Sequence, residues 1–135
     1  MTKPFPDIIQ DLPVKPVLLE DKSTGILVLE PIVYDTPLGR FEVPVGFLSD
    51  GCSLPRSLWR ALGHPFDMLY LREALLHDYL YRTQTVTRAQ ADKLLYDLLK
   101  DKLCWVRRQA IYRGLRLAGW VAWNNNNKKL LANKA

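Results

Sequence analysis

The stretch Ala74-Leu75-Leu76-His77-Asp78-Tyr79-Leu80-Tyr81 constrains this chain more than any other. It sets an adjacent His-Asp pair into an otherwise apolar run, with a tyrosine one helical turn beyond the histidine. Residues three and four apart share a helix face, so Glu73, His77 and Tyr81 form one stripe and Ala74, Asp78 and Arg82 the stripe beside it. The surrounding leucines predict that part of this helix is buried. A buried imidazole or carboxylate is costly without partners. The pair therefore either holds a polar network together or does chemistry.

The 135 residues fit one domain, and a hydrophobic fraction of 48% is enough for a core without covalent staples. Cys52 and Cys104 match no zinc spacing and make no disulfide framework, which points to a reduced, intracellular site of synthesis. Met1-Thr2-Lys3-Pro4-Phe5-Pro6 lacks the apolar core of a signal peptide, and no apolar run is long enough to span a bilayer. The net charge of +5 is unevenly placed. Residues 1–60 carry six Lys/Arg against eight Asp/Glu, whereas residues 61–135 carry thirteen against six. A basic C-terminal half suits an anionic partner such as nucleic acid, phospholipid headgroups or an acidic protein, or simply a solubilising surface.

Taken in order, the chain predicts an α+β fold in one domain over 1–123, opened by an arm over 1–15 and closed by a low-complexity tail over 124–135. From Pro16 to Val45 the pattern is β: Val17 to Glu20, then a turn at Asp21–Gly25, then the aliphatic run from Ile26 to Tyr34, then a turn at Asp35–Gly39, then alternating Arg40 to Pro44. This reads as a three-stranded antiparallel meander ended by Pro44. A Gly-rich loop follows, Gly46-Phe47-Leu48-Ser49-Asp50-Gly51-Cys52-Ser53-Leu54-Pro55. Ser53 and Pro55 suit the start of a short helix carrying Trp59, which Gly63-His64-Pro65 breaks. Three main helices are then expected. The first, capped by Asp67, runs from Met68 to about Arg82. Thr87-Arg88-Ala89-Gln90 is a capping box for the second. Its apolar face is Ala91, Leu94, Leu95, Leu98 and Leu99, while Lys93, Asp97, Lys100 and Asp101 stay in water. Asp92, in line with Leu95 and Leu99, is the charge of this helix turned toward the protein. A short connection makes the two helices antiparallel neighbours and brings Asp92 toward His77 and Tyr81. The third runs from about Trp105 to Trp123, with Val106, Ala110, Ile111, Leu115, Leu117 and Ala118 inward and Arg108, Tyr112, Arg113 and Arg116 opposite. Its Trp and Arg residues fit a membrane interface or a protein partner, or else the Trp residues pack over the meander.

A histidine hydrogen-bonded by a carboxylate is a candidate general base, because the carboxylate orients the ring and raises its basicity. Here His77 would be the base and Asp92 the orienting group, with Tyr81 on the same stripe as His77. Asp78, with Asp50 and Gly51 in the loop, would supply oxygen ligands for a cation that stabilises a developing oxyanion. The alternative is a buried polar lock joining two helices to the loop. P-loop, GxGxxG, HExxH and GxSxG motifs are absent. Arg108, Arg113, Arg116, Lys128 and Lys129 come with no nucleic-acid-binding motif, so nucleic acid is not the expected partner.

Two resemblances sharpen this reading. The run Val43-Pro44-x-Gly46-Phe47-x-x-Asp50-Gly51-x-Ser53-x-Pro55, then Leu76-His77-Asp78-Tyr79-Leu80-Tyr81, then Ala91-Asp92, resembles a DUF1353-like family of small phage and prophage proteins. That likeness implies a phage origin, with a place in the virion or the host cytoplasm, and brings no established activity. His77-Asp78-x-x-Tyr81 followed by Ala91-Asp92 also resembles the core of secreted and parvoviral phospholipases A2. In that group the His activates water, the adjacent Asp binds calcium and a later Asp hydrogen-bonds the His. The likeness implies a calcium-dependent lipid esterase with His77, Asp78 and Asp92 in those roles and Tyr81 as the supporting tyrosine. Ser49-Asp50-Gly51-Cys52-Ser53 stands where those enzymes carry a Gly-rich calcium loop. A non-catalytic virion or tail component, with other phage structural proteins as partners, is the rival expectation.

Overall fold

A computed structural model describes residues 12–50 and 70–134. The expected helix over 55–62 with Trp59, the Gly63-His64-Pro65 break, the Asp67 cap, Gly51 and Ser53 lie outside the described residues. The architecture is α+β: antiparallel strands first, helices after them. The strands are β1 (Val14–Leu18), β2 (Thr24–Val28), β3 (Ile32–Thr36), β4 (Gly39–Val43) and β5 (Leu48–Ser49). The helices are α1 (Leu71–Thr83), α2 (Arg88–Leu98), α3 (Trp105–Ala118) and α4 (Trp120–Lys134).

The strands differ from a simple meander. The run from Ile26 to Tyr34 is two strands, interrupted at Leu29-Glu30-Pro31. Pro31 has no N–H to donate to a ladder, and Leu29 N instead donates to the Pro13 carbonyl at 2.7 Å. β3 and β4 form a separate hairpin, Ile32 opposite Val43 and Thr36 opposite Gly39. Gly39 takes φ +118° at its turn, a conformation that favours glycine. After β4 ends at Val43, before Pro44, the chain returns to β2. Gly46 N donates to the Val28 carbonyl, Val28 N to the Phe47 carbonyl, and β5 then pairs with β2, giving the order β1-β2-β5. Asp50 is thereby delivered at the end of a strand held in the sheet.

Alternation buries Ile26, Val28, Ile32, Tyr34 and Val43 on one side, against Leu71, Leu75, Leu76, Leu80 and Tyr81 of α1 and Ala91 and Leu94 of α2. Each such leucine contributes about 1.5–3 kcal/mol of burial. A polar clamp fixes the angle of α1 on the hairpin: Tyr34 OH donates to the Arg72 carbonyl at 2.7 Å and Arg72 Nη2 to the Val33 carbonyl at 2.6 Å. α1 ends at Gln84, which adopts the left-handed conformation and donates its side-chain amide to the Trp123 carbonyl of α4. The capping box of α2 forms as its sequence predicts, Gln90 N to Thr87 Oγ1 and Thr87 N to Gln90 Oε1. Thr87→Ala should therefore lower the free energy of unfolding by about 1 kcal/mol in urea titration.

The C-terminal helix departs from expectation in two ways. It is two helices that meet at Gly119, and α4 continues to Lys134 through the stretch expected to be a tail. The faces of α3 are also partly exchanged. Ile111 and Leu115 are buried as expected, but Val106, Ala110 and Leu117 point to solvent. Arg108 turns inward, where Nε and Nη2 donate to the Tyr96 carbonyl at 3.2 and 3.0 Å. Tyr112 packs on the Tyr96 ring and Arg116 reaches Asp92. Acceptors on α2, the half-buried Tyr96 carbonyl and the buried Asp92, rather than apolar count, set the rotation of α3. Among the described residues no helix is long and apolar enough to cross a membrane.

Candidate active site

α1 and α2 bring His77, Tyr81 and Asp92 together. His77 and Tyr81 lie one turn apart on α1 with ring centroids 4.4 Å apart. Asp92, in the second turn of α2, is 0% exposed and His77 4%. Asp92 Oδ1 accepts from Tyr81 OH at 2.6 Å and lies 3.0 Å from His77 Nε2. Asp92 Oδ2 accepts from Arg116 Nη1 at 2.9 Å, with Arg88 Nη1 at 3.5 Å. Burial alone pushes the Asp92 carboxyl up. The hydrogen bond and charge of His77, with bonds from Tyr81 and Arg116, more than offset this and hold it below the ordinary carboxylate value. An ionised carboxylate only accepts hydrogen bonds. Nε2 of a neutral His77 ring must then carry the hydrogen, which leaves the lone pair on Nδ1.

Burial pushes the Tyr81 hydroxyl well up, reinforced by the Asp92 charge, so it stays a donor. Its ring stands edge-on to Trp123 at 5.2 Å. Gly119 closes the cluster from α3. A Cβ there would lie 2.5 Å from Tyr81 OH and 2.6 Å from the Leu115 carbonyl oxygen. Arg88 Nη1 donates to that Leu115 carbonyl at 2.8 Å and Arg88 Nη2 to Arg116 O at 3.3 Å, so one side chain serves Asp92 and the end of α3.

Asp78 and Asp50 also come together, around an arginine. Arg82 Nη2 is 3.5 Å from Asp78 Oδ2 and 3.2 Å from Asp50 Oδ1, while Nη1 donates to the Leu48 carbonyl at 2.5 Å. The two carboxylates assigned to a cation thus share a guanidinium. Among the described residues no group of three or more His, Cys, Asp or Glu is placed to hold a metal.

Sequence reasoning passed over several participants. Arg88 was legible, because it precedes Asp92 by four residues on one helix. Arg116 was not, being 24 residues away with nothing local to mark it. Glu73 lies one turn before His77 and is buried. Its Oε1 pairs with Lys102 Nζ at 2.7 Å, while Oε2 is buried without a hydrogen-bond partner among the described residues. Glu73 and His77 line a tight crevice with no room for a water molecule, whose walls are Leu76, Leu80, Ala91, Leu94, Leu95 and Leu98.

A strand set carrying helices that enclose a His–Tyr–Asp cluster defines the class: an α+β protein with a buried imidazole–carboxylate pair. The chain belongs to the family described as "Protein of unknown function (DUF1353)", which matches residues 26–115. That span holds His77, Tyr81, Arg88 and Asp92 and stops one residue before Arg116. The chain is also 34% identical over 64 residues to "Uncharacterized protein y4jT" of Sinorhizobium fredii (strain NBRC 101917 / NGR234). The match covers 47% of this chain and 19% of that protein. No solved structure matches the chain.

Proposed function

We propose that the protein is a phage-encoded, hydrolase-like enzyme acting on lipid esters, with His77 as general base and Asp92 as its orienting partner. One observation carries the reading: Asp92 Oδ1 sits 3.0 Å from His77 Nε2, so in a neutral ring whose Nε2 donates to this carboxylate the lone pair falls on Nδ1. Nδ1 would take a proton from water as the water oxygen bonds to the ester carbonyl carbon. The resulting imidazolium, facing the Asp92 charge, would return that proton to the departing alkoxide as the ester C–O bond breaks. Tyr81, Arg88 and Arg116 act as positioning residues that keep the Asp92 carboxylate in place. Phospholipid is the partner this chemistry implies, acting from a virion or within the host cytoplasm.

Calcium, which the phospholipase likeness implies, takes about six to eight oxygen ligands. The described residues offer Asp50 and Asp78, and both already face Arg82. They do not by themselves fit such an ion, so no step is routed through it. Its role is read directly in the assay. Wild type should release fatty acid from glycerophospholipid micelles, and His77→Asn should cut the rate by roughly 10²–10⁴-fold, the usual contribution of a general base. The melting temperature of His77→Asn should stay near that of wild type. Parallel reactions with calcium and with chelator show whether the ion takes part. Absence of release under every condition would end the lipid-esterase reading.

A second reading, a non-catalytic virion or tail component with a buried lock, is favoured by the near-complete burial of His77 and Asp92. It predicts the opposite pattern: no hydrolysis, and a melting temperature that falls in His77→Asn.

A further inference from the structure

We propose that the outer side of the α3–α4 corner docks onto anionic phospholipid bilayers. The inward rotation of Arg108 and Arg116 leaves Val106, Ala110, Arg113 and Leu117 on the outer face of α3, at the i, i+4, i+7 and i+11 spacing of a single stripe. Val106 is 69% exposed and Leu117 78%. Beyond Gly119 the stripe runs into Trp120, 54% exposed, and Val121, 49% exposed. These exposed apolar side chains, with Arg113 among them, make a mixed basic and apolar face of the kind that marks an interaction site.

Charge identifies the occupant. From Lys102 to the end of the chain there are eight Lys/Arg and not one Asp or Glu; Lys102, Arg108 and Arg116 are committed to Glu73, the Tyr96 carbonyl and Asp92, and Arg113, Lys128 and Lys129 are exposed. A second copy of this chain would set one basic face against another, so self-association is disfavoured. A nucleic acid backbone would use the cations but leave Val106, Leu117 and Val121 unmatched. A helix lying in a bilayer interface uses both, with apolar and Trp side chains below the headgroups and Arg/Lys on the phosphates. Neither helix is long and apolar enough to cross a membrane, so the geometry is surface-lying.

The inner side of the same corner is the polar cluster, since Gly119 rests on Tyr81 OH and Arg88 holds the Leu115 and Arg116 carbonyls. Docking would therefore hold the His77–Asp92 pair behind the α3–α4 corner, on the side away from the lipid surface. The purpose of docking rests on the proposed lipid-esterase activity, but docking is measured without catalysis.

The test is co-sedimentation of the full chain with phosphatidylcholine vesicles, with or without phosphatidylglycerol. Wild type should bind the phosphatidylglycerol vesicles, weakly the neutral ones, and dissociate as salt rises. Arg113→Gln should weaken binding about fivefold, the effect of losing one basic residue near an anionic surface. Leu117→Ser with Trp120→Ser should weaken it at least about tenfold. Both sets of residues are exposed, so unchanged melting temperatures confirm that the variants fold. His77→Asn should bind like wild type. Failure to bind phosphatidylglycerol vesicles overturns the proposal. Retention of full binding by the Leu117/Trp120 variant overturns it too, because adsorption would then be electrostatic alone, as duplex DNA competing equally well would show. Docking without hydrolysis ends the esterase reading and leaves this one standing; hydrolysis without docking does the reverse.

Discussion

Asp92→Ala should lower the free energy of unfolding by about 3–5 kcal/mol, the cost of breaking a buried ion pair from one side. The carboxylate is the common acceptor for His77, Tyr81 and Arg116, with Arg88 beside it. Alanine strands all of them, two as buried donors and two as guanidiniums facing an apolar methyl. Asp92→Asn keeps the shape but places an amide NH₂ against donors, so it should recover only part of the loss. Urea denaturation of the three proteins at neutral pH measures this. The pH dependence gives a second signature. The Asp92 carboxyl lies below its ordinary value of 3.8 in the folded state, so its contribution is complete above that value and is lost as pH falls through the lower folded value. Wild type should lose stability over that acid window, and the acid limb of Asp92→Asn should be shallower. Tyr81 works at the other end. Its folded hydroxyl lies above the ordinary 10.0, so its contribution is complete below pH 10.0 and is lost as pH rises beyond it. Tyr81→Phe should flatten the alkaline limb and leave the acid one in place.

The parts of this arrangement that were legible in the sequence are those fixed by local periodicity. Glu73, His77 and Tyr81 share a stripe because they are four apart, and Thr87 with Gln90 announces the start of α2, which sets the rotation that turns Asp92 inward. The strand reading failed where a single atom decided: Pro31 cannot donate to a ladder, and the aliphatic run broke there into β2 and β3. The α3 reading failed for a different reason. An apolar pattern assigns Val106 and Leu117 to the core and arginines to water, but it cannot see that the half-buried Tyr96 carbonyl and the buried Asp92 are acceptors on the neighbouring helix. Arg108 and Arg116 turned in to satisfy them, at the expense of the apolar side chains opposite. The Asn-rich stretch after Trp123 failed by composition, since its repeated asparagines read as a loose tail, whereas Gln84 ties its helix to α1 through the Trp123 carbonyl.

Gly119→Ala should destabilise the protein by about 1–3 kcal/mol although it adds one methyl group and removes no contact. Gly119 needs no left-handed conformation; its value is space. The added Cβ would lie 2.5 Å from Tyr81 OH, 2.6 Å from the Leu115 carbonyl oxygen and 3.3 Å from Arg88 Nη1. The hydroxyl cannot retreat without lengthening its 2.6 Å bond to Asp92, and the carbonyl belongs to the α3 backbone. The methyl group is therefore accommodated by tilting α4 away or by pulling Tyr81 off Asp92. The two responses are separable. If Tyr81 yields, Tyr81→Phe in the Gly119→Ala background should cost less than Tyr81→Phe alone, because the clashing hydroxyl is gone and the bond it made was already lost. If α4 yields, the two costs should add, and Gly119→Ala should change the tryptophan fluorescence, through Trp123 moving off the Tyr81 ring, without any change in the alkaline limb. Coupling above about 0.5 kcal/mol in this double-mutant cycle would mark the α3–α4 corner and the Asp92 cluster as one mechanical unit. In that case a force applied to the corner from outside, such as contact with a bilayer, would be felt at the residue that orients His77.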